Sequence, residues 1–268
     1  MSNYLILDIE TIPDESLIDK PIVPIGNITT DKGIGCPFAA VGLMPEPARA
    51  QPAPEPSSIP PPYANRPIAI GCLWLDANLT PIKCGCLGTS KYGDDEKALL
   101  VDFTSFAGRE KPAIVTWNGR GFDLPVITLR CYKYGIPLEW YDQDYRYRYT
   151  DKKNIDLFDL MTDFGAVSKK GFKLDKIARL IGLPGKYGVD GSQVKGLFEA
   201  GRFEEIEEYC ITDVIQTAFI FIRFQLWRGR ISAEMHDQAV VKILDFLKEK
   251  HDKFISLIDH KTLSVLSK

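Results

Sequence analysis

Residues 4–11 read Tyr4-Leu5-Ile6-Leu7-Asp8-Ile9-Glu10-Thr11, an apolar, β-prone run that closes on two carboxylates. Its composition predicts a buried strand at the start of the fold. Side chains two apart on a strand share a face, so Asp8 and Glu10 stand beside each other. Adjacent carboxylates repel unless a proton or a cation lies between them. An apolar strand that ends in such a pair suits a hard metal ion held by oxygen ligands. Alone, the pair equally fits a strand running out into solvent.

Two later stretches add to it. Trp117-Asn118-Gly119-Arg120-Gly121-Phe122-Asp123 reads as a strand end, a turn on glycine and a helix start carrying Asp123. By itself Asp123 also fits a helix cap. Tyr209 and Asp213 are four residues apart in a helical stretch, so phenol and carboxylate reach the same side. A packed tyrosine beside a solvated aspartate is the plain alternative. Together the three stretches supply four carboxylates and a phenol. Such a set suits two-metal phosphodiester hydrolysis, in which paired Mg²⁺ or Mn²⁺ ions activate water and neutralise the leaving oxygen.

The rest of the chain sets the frame. With 268 residues, it suits one generous domain over residues 1–230 followed by a helical tail over 231–268. Hydrophobic residues at 45% and charged residues at 26% give a globular balance and exclude a disordered chain. The N-terminus has an acidic residue where a signal peptide needs an unbroken apolar stretch, and no apolar run is long enough to span a bilayer. Six cysteines lack the spacing of a disulfide framework, and Cys84-x-Cys86 has no partner pair for zinc, so a cytoplasmic location is expected. A net charge of −3 excludes a broad basic surface for coating nucleic acid, yet permits a site that grips a few terminal nucleotides.

Further strands are predicted at Pro67–Leu75, Leu79–Leu87 and Ala113–Trp117. Helices are predicted at Asp94–Phe106, Phe122–Tyr134, Ile155–Phe164, Leu174–Ile181 and Phe203–Trp227, with one or two more in Ser232–Ile258. Residues 44–62 are rich in Pro, Ala, Glu and Ser and read as an extended insertion between strands. Early strands followed by helices suggest an α/β domain with a mixed sheet. Tyr145-Arg146-Tyr147-Arg148-Tyr149 alternates rings and charges; an extended ribbon there would stack bases on one side or simply be half-buried. Asp156 and Asp159 fit either a supporting role or a cap, and His236, His251 and His260 fit surface or packing positions.

Asp8-x-Glu10, Asp123 and Tyr209-x-x-x-Asp213 resemble the DEDD exonuclease superfamily in its tyrosine-bearing subgroup. LILDIET (5–11), IVTWNGRGFDLPVI (114–127), KLDKIARLIGLPGK (173–186) and EEYCITDVIQT (207–217) are most similar to bacterial stand-alone exonucleases related to the proofreading domain of family-B DNA polymerases. The resemblance implies an RNase H-like fold, a mixed five-stranded sheet flanked by helices. It implies that Asp8 bridges two metal ions, that Glu10 and Asp213 hold the water-activating ion, that Asp123 helps hold the second, and that Tyr209 orients the water. It further implies that Thr11, Trp117, Asn118, Phe122 and Lys173 lie along the substrate. The implied reaction is 3′–5′ removal of nucleoside 5′-monophosphates from single-stranded ends, DNA before RNA. The insertion at 44–62 exceeds the compact connection usual in the family, and there is no room for a polymerase module, so any proofreading is expected to serve a polymerase in trans. An exoribonuclease on the same scaffold and a non-catalytic nucleic-acid-binding module are the competing readings.

Overall fold

The computed structural model describes residues 3–18, 60–149, 152–168, 170–185, 188 and 191–266. Lys169 and the proline-rich stretch up to residue 59 lie outside them. Five strands form one sheet: β1 (Tyr4–Pro13), β2 (Asn65–Leu75), β3 (Pro81–Gly88), β4 (Ala113–Thr116) and β5 (Asn154–Asp156). Their spatial order is β3-β2-β1-β4-β5. β1–β2 and β2–β3 are antiparallel, whereas β1–β4 and β4–β5 are parallel. The helices are α1 (Thr89–Tyr92), α2 (Glu96–Glu110), α3 (Asp123–Tyr134), α4 (Glu139–Asp144), α5 (Leu157–Met161), α6 (Leu174–Leu180), α7 (Val194–Glu199), α8 (Phe203–Trp227), α9 (Ala233–Ile255) and α10 (His260–Leu263). The expected mixed five-stranded sheet flanked by helices is therefore present.

The alternation of β1 sorts the two layers. Leu5, Leu7 and Ile9 pack with Leu99, Phe103, Leu124 and Ile127 of α2 and α3. Ile6 joins the opposite core with residues of α8 and α9, and Ile12 joins Ile206, Tyr209 and Cys210. Asp8 and Glu10 share the parity of Ile6 and Ile12, so they emerge on the α8 side. α8 itself is apolar nearly all round, as a helix must be when it is covered by the sheet on one side and by α9 on the other.

Local signals set the helix ends. The Asp95 side chain accepts the Ala98 amide at the start of α2, and the Ser232 side chain accepts the Met235 amide at the start of α9. Gly135 closes α3 in the left-handed conformation. Three expectations are corrected. The helix read at Ile155–Phe164 is instead strand β5, the short helix α5 and a 3₁₀ turn at Asp163–Gly165. Three residues are too few to show a strand period, and only the β4 edge makes them a strand. The third strand starts at Pro81 rather than Leu79, because Leu79 turns the chain at φ 62°. Tyr145–Tyr149 is no ribbon: Tyr145 ends α4 fully buried, while Tyr147 and Tyr149 are exposed.

Among the described residues, no helix is long and apolar enough to cross a membrane.

Candidate active site

The pairing of β1 with β4 covers Tyr4 to Ile6, so Asp8 and Glu10 project beyond it, into the crevice at the carboxyl ends of the parallel strands. Register then shifts between Glu10 and Thr11, where Pro67 of β2 stands opposite Thr11 and offers no amide. A bulge beside a site re-aims the side chains next to it. Thr11 donates to Asn65 Oδ1 at 3.4 Å.

α8 brings Tyr209 and Asp213 over this end of the sheet. The close approach depends on Gly71, the β2 partner of Asp8. A Cβ at Gly71 would lie 2.8 Å from Cys210 Sγ and 3.0 Å from Val214 Cγ2. Cys210 Sγ in turn donates to the main-chain oxygen of Asp8 at 3.4 Å and sits 3.9 Å from its Oδ2. Asp123 opens α3, and its Oδ1 accepts the Ile9 amide at 3.2 Å, an amide that lies past the last β4 pairing.

Asp8 and Glu10 both feel the other acids of this pocket. Burial pushes Asp8 well above the ordinary carboxylate range, and Asp123, Asp213 and Glu10 push it further. Glu10 is raised by burial and then by Asp213 and Asp123. Every charged group raising these two is another carboxyl. A cluster of this kind, with hard oxygen donors around a shared space, fits a divalent cation such as Mg²⁺ or Mn²⁺. Asp8, Glu10 and Cys210 offer ligand atoms within 4.8 Å of one another, and no other such group of three occurs among the described residues. The pair Cys84 and Cys86 forms no such cluster there.

Burial, with a contribution from Asp156, pushes the Asp123 carboxyl from 3.8 up to about 7, against hydrogen bonds from its own amide and that of Ile9. The folded chain thus holds this proton to higher pH than the unfolded chain does. Its contribution is complete below about pH 4 and is lost as pH rises towards 7, on the order of 4 kcal/mol in the metal-free protein. Metal-free wild type should therefore lose stability relative to Asp123→Asn between pH 4 and pH 7. Urea midpoints of both proteins across that range measure it, and a constant difference would sink the idea.

Of the remaining expected contacts, Trp117, Asn118 and Phe122 lie between the end of β4 and the start of α3. Trp117 is half-buried at the end of β4 and stacks parallel to Phe172, with ring centroids 6.0 Å apart. Phe158 meets both rings edge-on. Asn118 turns the chain at φ 61°, a conformation asparagine tolerates better than most residues. Phe122 stands before the first turn of α3, and Lys173 is exposed at the start of α6. Sequence reading missed Phe158, Phe172 and Cys210. Only Cys210 carried a local sign, standing between Tyr209 and Asp213 in the motif itself. The histidines stay outside the cluster: His236 is buried against Arg223 and Asp237, His251 faces Glu208, and His260 begins α10.

Residues 58–260 match the family described as predicted 3′–5′ exonucleases related to the exonuclease domain of PolB. The chain belongs to this family. The match takes in Asp123, Tyr209 and Asp213 but starts after β1, so Asp8 and Glu10 join the set through the fold. The family B DNA polymerase of the hyperthermophilic archaeon Pyrobaculum calidifontis is a structural neighbour at TM-score 0.53 and 16% identity. It covers 94% of this chain, which spans 29% of the polymerase's length, and supports the fold of this family member alone. No curated protein matches the chain.

Proposed function

We propose that this family member is a divalent-metal-dependent 3′–5′ exonuclease of the tyrosine-bearing DEDD subgroup, acting on single-stranded DNA ends and releasing nucleoside 5′-monophosphates. The observation that carries this reading is the meeting of Asp8, Glu10, Asp123 and Asp213 midway along β1, just past its pairing with β4, where Asp123, Asp213 and Glu10 all act on the Asp8 carboxyl. Asp8, Glu10, Asp123 and Asp213 would hold two Mg²⁺ or Mn²⁺ ions. When bound, such ions supply charge neutralisation at the scissile phosphate and lower the pKa of the attacking water.

The chain's own groups do the rest. Tyr209, buried on the same helix as Asp213, orients the water through its hydroxyl. Trp117, with Phe172 behind it, offers an apolar face to the terminal base. Asn118, Phe122 and Thr11 border the terminal nucleotide, and the Lys173 ammonium meets a backbone phosphate. The preference for DNA rests on the family's kinship to a polymerase exonuclease domain, and a polymerase served in trans is the partner this implies.

A 5′-labelled single strand should shorten from its unlabelled end with Mg²⁺ or Mn²⁺ and stay intact with EDTA. Matched RNA run beside it decides the sugar preference, because 2′-hydroxyl contacts come from the groove rather than from the carboxylates. Metal-independent binding with no shortening of either strand would overturn the proposal in favour of a binding module.

A further inference from the structure

Asp156 ends β5 and is 1% exposed; it is not one of the four clustered acids, although its charge acts on Asp123. Its Oδ1 accepts the Asn118 amide at 3.0 Å and the Asp159 amide at 3.2 Å, and its Oδ2 accepts the Arg120 amide at 2.9 Å. One carboxylate therefore caps α5 and also satisfies two amides of the turn that joins β4 to α3. That turn carries a residue at positive φ, Asn118, whose carbonyl then accepts the Gly121 and Phe122 amides at 2.9 and 3.1 Å. A conformation of this kind persists where its surroundings over-determine it.

Arg120 fastens the same turn from its other side. Its guanidinium donates to the main-chain oxygens of Asn154 at 2.7 Å and Tyr147 at 2.8 Å. It also stands 3.9 Å from Asp159 Oδ2. The turn is thus tied to β5 by side chain and main chain together. At its two ends stand Trp117 and Asp123. A cap for α5 needs only one of the three bonds that Asp156 accepts; the other two go to the turn.

We propose that Asp156 is a positioning residue, whose carboxylate sets the turn 117–122 in the conformation that receives the 3′-terminal nucleotide. This rests on the exonuclease reading for the identity of the ligand. The carboxylate acts through Asn118 and Arg120 and does not itself touch substrate.

Asp156→Ser separates the two roles. Serine is a good N-cap and preserves the α5 bond, yet its short hydroxyl does not span to the amides of residues 118 and 120. Asp156→Asn keeps one acceptor oxygen and should rescue part of the loss. Binding of a fluorescent single-stranded oligonucleotide is followed by anisotropy, with KM and kcat for its cleavage and the Mn²⁺ concentration giving the half-maximal rise in melting temperature. For Asp156→Ser we expect Kd and KM to rise about tenfold or more, with kcat and the Mn²⁺ midpoint changed by less than about threefold. Asp156→Asn should fall between this variant and wild type.

An unchanged Kd with a lower melting temperature would reduce Asp156 to a cap and overturn the proposal. A Mn²⁺ midpoint that moves in step with Kd would overturn it as well, placing the effect at the metal centre. A wild-type protein that binds the strand in an Asp156-dependent way but never shortens it would sink the exonuclease reading and leave this one standing. Should Asp156→Ser not fold, Asp156→Asn carries the same comparison.

Discussion

Asp8→Asn should lose hydrolysis by about a thousandfold or more while keeping its fold. Asp8 stands where Glu10, Asp123 and Asp213 all act on its carboxyl, so it is the group on which the other acids of the pocket converge. Asparagine has nearly the same shape and keeps one oxygen, but it removes a negative charge that a cation needs. In the metal-free protein the exchange relieves repulsion and burial of charge, so the melting temperature should hold or rise. The rise on adding Mn²⁺, which wild type should show by mass action, should shrink or vanish. Turnover of a labelled single strand and melting with and without Mn²⁺ measure both parts. Wild-type turnover in this variant would show that the assigned chemistry is wrong.

Arg130→Ala should cost about 3–5 kcal/mol of stability, because it strands a buried carboxylate. Arg130 lies on α3 and is 1% exposed. Its Nε and Nη2 donate to both oxygens of Glu96, at 2.5 and 2.6 Å, and its Nη1 donates to Asp14 at 2.7 Å and to the Tyr63 carbonyl at 3.2 Å. Glu96 opens α2 and also accepts from the Tyr134 hydroxyl at 2.8 Å. Four segments therefore meet on one guanidinium: α2, α3, the chain leaving β1 and the turn before β2. Glu96 is 5% exposed in the intact fold, and without Arg130 it keeps a single phenol for support. In a domain of this size the loss corresponds to roughly 6–20 °C in melting temperature. The double variant Glu96→Gln/Arg130→Met should recover much of it, since no buried charge is left unpaired. Calorimetric melting of the three proteins decides the matter. A loss below about 1 kcal/mol for Arg130→Ala would mean that water reaches Glu96.

Both sites differ in how far the sequence disclosed them. The acidic residues stood out because a carboxylate pair in an otherwise apolar strand violates the usual pattern, and such violations cluster where chemistry is done. Arg130 gave no sign of that kind. In the sequence it is one arginine on an amphipathic helix, and only the docking of α2 against α3 buries it. Cys210 behaves likewise: its neighbours Asp8 and Gly71 are far away along the chain.

Local periodicity by itself determined β1, β2, β4, α3 and α8, because each is long enough, or apolar enough, for its burial pattern to be written in consecutive residues. It also determined that Asp8 and Glu10 share a face and that Tyr209 and Asp213 share another. The tertiary structure alone decided that β5 is a strand, that Tyr145 is buried while Tyr147 is exposed, and that Asp156 holds the turn before α3. The physical reason is the range of the interactions. A strand period or a helical face is set by neighbours a few residues away. A three-residue edge strand, a buried ion pair and a carboxylate shared between two turns exist only once distant segments have closed on one another.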